Sequence, residues 1–180
     1  MCLVGAAICA SSLVAGAGFA SAASNSAATA VKRITLNCKI DMTTVPPAGS
    51  NVVLVAPQGK QYGPDRCATA GFGSGIIANT FTVPDSGDTV GVFSQYFRAG
   101  GIFGKFDLTP LQGTGISPTS FQSQAWTGTV TVTGGTGIYS GITHAKGKKG
   151  IGRMHCTSPD SVHLSCTDSV NVVLPAGFKS

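Results

Sequence analysis

Charge is what this sequence has least of. Only 11% of its 180 residues are charged, with 12 Lys and Arg against 7 Asp and Glu. Charge this sparse beside 42% apolar residues suits a secreted domain rather than a helical cytosolic one. Aromatic residues make up 7%, with a single Trp. The devices of familiar chemistry are missing as well. There is no phosphate-loop lysine, no His-Glu-x-x-His pair, no calcium loop and no Asn-x-Ser/Thr acceptor. Gly73-Ser74-Gly75 is not the Gly-x-Ser-x-Gly of a nucleophile elbow. Gly135-x-Gly137 has its third glycine one place late for a dinucleotide fingerprint, and it lies between strand-like runs rather than before a helix. No stretch beyond residue 22 shows the periodicity of an amphipathic helix.

What is abundant is Gly, at 25 residues, together with Ser and Thr, the composition of an all-β domain. Residues 1–22 contain no charged side chain and end in Ala20-Ser21-Ala22, the small-x-small pattern of a signal-peptidase site. We read 1–22 as a signal peptide, 23–30 as a flexible segment and 31–180 as a single domain, secreted and without a membrane span. The usual Lys or Arg ahead of the apolar core is missing, which suggests a start inside a longer reading frame.

Four cysteines follow the signal: Cys38, Cys67, Cys156 and Cys166. An even number in an exported chain implies disulfides, and three pairings are open. The turn Ser158-Pro159-Asp160-Ser161, centred near Ser161, sets Cys156 opposite Cys166 on neighbouring strands, within reach of a bridge. Cys38 is then left for Cys67. Neither spacing resembles a zinc knuckle. His144, His155 and His163 share one region and are read as solvated rather than as metal ligands, and no cofactor is expected.

Along the chain, 31–42 alternates cleanly, with Ile34, Leu36, Cys38, Ile40 and Met42 on one face. A short strand is expected over 51–56, a glycine-rich loop over 57–75 and a strand over 76–83. The run 89–98 carries apolar residues on both faces and is expected to be covered on both sides. Strands follow over 102–108 and from Phe121 to the glycine turn Gly134-Gly135-Thr136-Gly137, with a loop over 110–118 between them. The last strand, 162–174, turns Leu164, Cys166, Val170, Val172 and Leu174 inward. About eight strands joined by short turns suit an antiparallel barrel or a two-sheet sandwich.

Three stretches carry a resemblance: Gly101-Ile-Phe-Gly-Lys-Phe-Asp-Leu-Thr-Pro110, Thr133-Gly-Gly-Thr-Gly-Ile-Tyr-Ser-Gly141 and Cys156-Thr-Ser-Pro-Asp-Ser-Val-His-Leu-Ser-Cys166. In this order they resemble the allene oxide cyclase and dirigent-like β-barrels, and more specifically small secreted bacterial proteins with that barrel-like domain. The resemblance implies the barrel rather than the sandwich. It brings no catalytic residue, because the acidic and polar lumen groups of allene oxide cyclases find no matching motif here.

The expected function is therefore binding or interaction: a small apolar ligand in the lumen, or loops presented to a surface. An isomerase, a cyclase or a dirigent-like stereochemical guide is the alternative. The candidate lumen residues are Trp126, Phe106, Gly128 and Asp168. Gly91, Gly104 and Gly128 lie on the same strands and remove bulk, and Asp168 is a carboxylate on the inward register of the last strand. Lys146, Lys148, Lys149 and Arg153 form a basic patch, read as a solvated hairpin that protects an edge. Nucleic acid is not an expected partner, and the sequence leaves the oligomeric state open.

Overall fold

Alternating apolar and polar residues leave a strand one stable option, which is to turn one face inward. A computed structural model describes residues 32–45, 58–84, 87–111, 124–145, 151–160 and 162–178. The strands are β1 (Arg33–Val45), β2 (Gln58–Cys67), β3 (Gly73–Thr82), β4 (Thr89–Phe97), β5 (Gly100–Pro110), β6 (Gln124–Gly135), the two-residue β7 (Thr143–His144), β8 (Gly152–Ser158) and β9 (His163–Val173). Every pairing is antiparallel, and neighbours in sequence are neighbours in the sheet from β1 to β6, followed by β8 and β9. β1 then pairs with β9 from Arg33↔Val173 to Thr43↔His163, which closes the sheet into an eight-stranded barrel. β7 pairs with Val172 and Val173 on the edge of β9 that β8 occupies further along. Among the described residues there is no α-helix.

The inward face of β1 is Leu36, Cys38, Ile40 and Met42, as the alternation requires. Both bridges form between directly opposed residues, Cys38–Cys67 across β1 and β2 and Cys156–Cys166 across β8 and β9. The Asp160 carboxylate holds the β8–β9 turn by accepting the N–H groups of Val162 and His163 at 2.9 and 2.7 Å. His163 Nδ1 lies 2.6 Å from its other oxygen. These contacts, the His163 N–H first, hold Asp160 down to about 2.

Three expectations are corrected. The stretch 57–75 is not a loop: it supplies β2 and the start of β3. Pro64, which has no N–H, falls in the gap of the β1–β2 ladder between Ile40↔Asp65 and Thr43↔Tyr62. The glycine turn is not a short strand-to-strand turn. It makes a one-turn 3-10 helix, Gly137–Tyr139, with Gly137 at φ 61° and Gly141 at φ 85°, and drops Tyr139 into the barrel end. The outer face of β4 is not covered by any described residue, with Val92 57% and Tyr96 58% exposed. The expectations for 1–22, 23–30, 51–56, Phe121, the 110–118 loop beyond Leu111, and Lys146, Lys148 and Lys149 lie outside the described residues.

Candidate functional site

The lumen wall is built on a recurring cross-strand pair. Gly59 lies directly opposite Phe81, Gly75 opposite Phe97, Gly91 opposite Phe106 and Gly104 opposite Phe93. In each case the ring lies over the glycine. A Cβ at these positions would fall 2.7, 2.9, 2.5 and 2.7 Å from the facing ring, and at Gly75, Gly91 and Gly104 it would also meet, nearer still, the backbone carbonyl of Tyr96, Thr80 and Thr131. The bulk that the inward glycines give up is thus taken by phenylalanine. Leu36, Ile40, Val132 and Val172 have no exposed surface, and Phe93 and Phe106 are 4% and 5% exposed. Little room for water remains against them.

The end of the barrel at the glycine turn is stopped by aromatics. Tyr139 stacks on Phe72 at 4.7 Å between ring centroids and meets Phe97 edge-on at 5.7 Å, while Phe178 lies against both Phe72 and Tyr139. The Tyr139 hydroxyl donates to the Gly71 carbonyl at 2.7 Å, and burial raises its pKa.

Polar groups interrupt this apolar interior. Asp168 is 7% exposed, on the inward register, and its Oδ1 accepts the Cys38 N–H at 3.1 Å. Asp65, two residues before Cys67, is 2% exposed, with Oδ1 3.8 Å from the Cys67 sulfur. Because Cys38 is opposite both Cys67 and Asp168, the two carboxyls flank one bridge. Burial pushes Asp168 up to about 7, the neighbouring charge of Asp65 adds to the rise, and the Cys38 N–H opposes it. Burial likewise lifts Asp65 to about 6, against the Arg66 backbone N–H and the nearby Gln95. Asp65 Oδ2, Gln95 Nε2, Asn79 Oδ1 and Ser158 Oγ find no partner among the described protein atoms. Elsewhere in the lumen Asn79 Nδ2 approaches Gln61 Oε1 at 3.4 Å and the Met42 sulfur at 3.1 Å. Both carboxyls therefore take up protons closer to neutral pH than a free carboxylate does.

Of the residues singled out in sequence, Phe106 and Asp168 are buried and face inward. Trp126 is half-buried, opposite Cys156 on β8 and Pro110 on β5. Gly128 is hemmed in by the β5 backbone, since a Cβ there would meet the Asp107 carbonyl and the Leu108 Cα. Its lack of a side chain serves strand approach rather than an open lumen. Arg153 lies outward on β8. His144, His155 and His163 fall opposite Val172, Thr167 and Thr43 respectively, on separate parts of the wall. Cys38, Cys67 and Asp65 converge within metal-ligand distance, but both sulfurs are spent in the bridge. Sequence reasoning missed Asp65, because its strand reads as a loop, and it missed Gln95.

The outer wall carries two open clefts. One, of about 1130 Å³, spans β2 to β6 around Val92, with Lys60 and Lys105 to either side. The other, of about 880 Å³, crosses β2, β1, β9, β8 and β6.

No family model matches the chain, and no curated protein matches it. Among solved structures it is similar to one described as "Pyocyanin demethylase", at 17% identity over 78% of this chain and 99% of that chain, with a TM-score of 0.37. A likeness at that TM-score carries no argument about activity, and the barrel described above stands on this chain's own strand pairing.

Proposed function

We propose that this chain is an exported, disulfide-stapled interaction module of the allene-oxide-cyclase-like barrel type, which works through its outer wall while the lumen serves as a packed core. The observation that carries the reading is the set of inward Gly–Phe pairs, which fills the space a lumen ligand needs. Export is supported by the uncharged apolar start with its Ala20-Ser21-Ala22 ending and by two bridges of a kind that persist in oxidising compartments. The family placement rests on the three motif stretches. A panel of small apolar compounds tests the packed lumen. The expected result is neither quenching of Trp126 fluorescence nor a thermal shift, and a compound that gives both saturably overturns the reading.

A second reading has its own support. The unpartnered Asp65 Oδ2, Gln95 Nε2, Asn79 Oδ1 and Ser158 Oγ are the kind of groups that a ligand satisfies. On that reading Trp126, Phe106, Gly128 and Asp168 border a small apolar ligand. The Asp65–Asp168 pair then holds or moves a proton, as an isomerase, a cyclase or a stereochemical guide would require.

A further inference from the structure

The β2–β1–β9–β8–β6 cleft gathers cations that are far apart in sequence. Arg66 lies opposite Lys39, Lys39 opposite Thr167, Thr167 opposite His155 and His155 opposite Thr127. One row along, Asn37 faces Ser169, which faces Arg153. All of these side chains are exposed and line the cleft. Its one carboxylate, Asp168, is buried in the wall beneath, on the inward register. Asp41, held by the Ser165 hydroxyl at 2.8 Å, and Asp107, opposite Thr129, lie outside the cleft lining. Among the described residues no carboxylate pairs with Lys39, Arg66 or Arg153. Like charges set directly opposite, as in Lys39 and Arg66, work against the fold unless something neutralises them.

We infer that this cleft docks an acidic polysaccharide, carboxylated or sulfated, laid across the strands. The inference rests on the outer-wall reading above. From Arg66 on β2 to Arg153 on β8, the outermost of the three cations, is three strand spacings, about 14 Å. A single phosphate or sulfate spans only adjacent cations, whereas a polymer with successive anionic groups meets the whole row. The hydroxyls of Ser74, Thr127, Thr167 and Ser169 and the Asn37 amide suit a partner rich in hydroxyl groups. Among the described residues no Phe, Tyr or Trp lines the cleft, which gives single-stranded nucleic acid no such ring to stack on there.

The test uses the full, oxidised chain in calorimetric titrations with heparin and polygalacturonate, with dextran as the neutral control and oligo-dT as the nucleic-acid arm. Expected is binding to at least one acidic glycan and none to dextran, with affinity falling as salt rises. Lys39→Ala with Arg66→Ala weakens it about tenfold or more, and Lys60→Ala with Lys105→Ala on the other cleft leaves it nearly unchanged. The glycan also raises the Tm of the wild type more than that of the Lys39/Arg66 variant. That variant's own Tm is no lower than the wild type's, because a repulsion has been removed. Equal weakening by both double variants shows attraction to net charge alone and overturns the proposal, as does tighter binding of oligo-dT through Lys39 and Arg66. Failure of every glycan to bind overturns the proposal while the outer-wall reading stands, unless an apolar compound also shifts the Tm, in which case both fall.

Discussion

Asp65 and Asp168 flank the Cys38–Cys67 bridge on the inner wall, and the charge of Asp65 makes Asp168 harder to ionise. Each carboxyl is easier to protonate in the folded protein than in the unfolded chain. Their contribution to stability is therefore fully present below the unfolded value near 3.8 and is lost as pH rises through about 6 and about 7. The Tm should fall between about pH 4 and about pH 7. Asp160, with its pKa lowered, contributes stability above its unfolded value that is lost only as pH falls through about 2, outside that window. Asp168→Asn keeps an acceptor for the Cys38 N–H and removes the charge. It should flatten the fall and stabilise the protein at pH 8 by about 1–3 kcal/mol in chemical denaturation. An unchanged pH profile in this variant counts against the pair.

The bridges differ in the loops they close, with sequence separations of 29 for Cys38–Cys67 and 10 for Cys156–Cys166. Replacing both cysteines of one bridge by serine should cost about 2–4 kcal/mol, and about 1 kcal/mol more for the longer loop. Urea titrations of the two variants give the comparison.

Two glycines with different surroundings should respond differently to alanine. A Cβ at Gly59 meets only the Phe81 ring, which is half-buried and free to give way, so Gly59→Ala should cost less than about 1 kcal/mol. At Gly128 the obstacle is the β5 backbone, so Gly128→Ala should cost about 3 kcal/mol or more, read as lost soluble yield or a lower Tm. Equal costs would mean that the close approach of β5 and β6 is not what the glycine serves.

Tyr139 separates hydrogen bonding from packing at the stopped end. Tyr139→Phe leaves the Gly71 carbonyl without its donor and should cost about 1 kcal/mol. Tyr139→Ala removes the ring that Phe72, Phe97 and Phe178 pack against and should cost about 3–5 kcal/mol. Denaturant midpoints measure both.

On the export reading the mature protein should begin at Ala23, within a residue or two, and intact-mass analysis of culture medium checks this. A mass that retains 1–22 removes the export reading.

Much of the wall is legible in the sequence, because strands with one wet and one dry face write a period of two. Leu36, Cys38, Ile40 and Met42 announce β1, and the spacing about Ser161 sets Cys156 opposite Cys166. Asp168 stands out because it breaks such a pattern. Asp65 does not, since Gly63-Pro64 before it reads as a turn, and only the paired register shows that a ladder can run past a residue with no N–H. The Gly–Phe pairs are hidden for a related reason. A glycine in a strand signals either space or close approach, and which one holds depends on the residue opposite. The basic cleft is likewise written in register: Arg153 and His155 are close in sequence, but Lys39 and Arg66 join them only when β9 lies beside β1.

That closure has a consequence for how the protein is made. The longest ladder in the barrel joins its first strand to its last, Arg33 with Val173 through Thr43 with His163. A chain emerging from the ribosome N-terminus first holds one unpaired edge of β1 until β9 has followed, so the wall cannot shut before synthesis is nearly complete. Contacts so distant in sequence form slowly. The order of strands thereby delays closure until the final segment is out, and the same late step, once taken, covers the edge of β1 on which a second chain could otherwise grow.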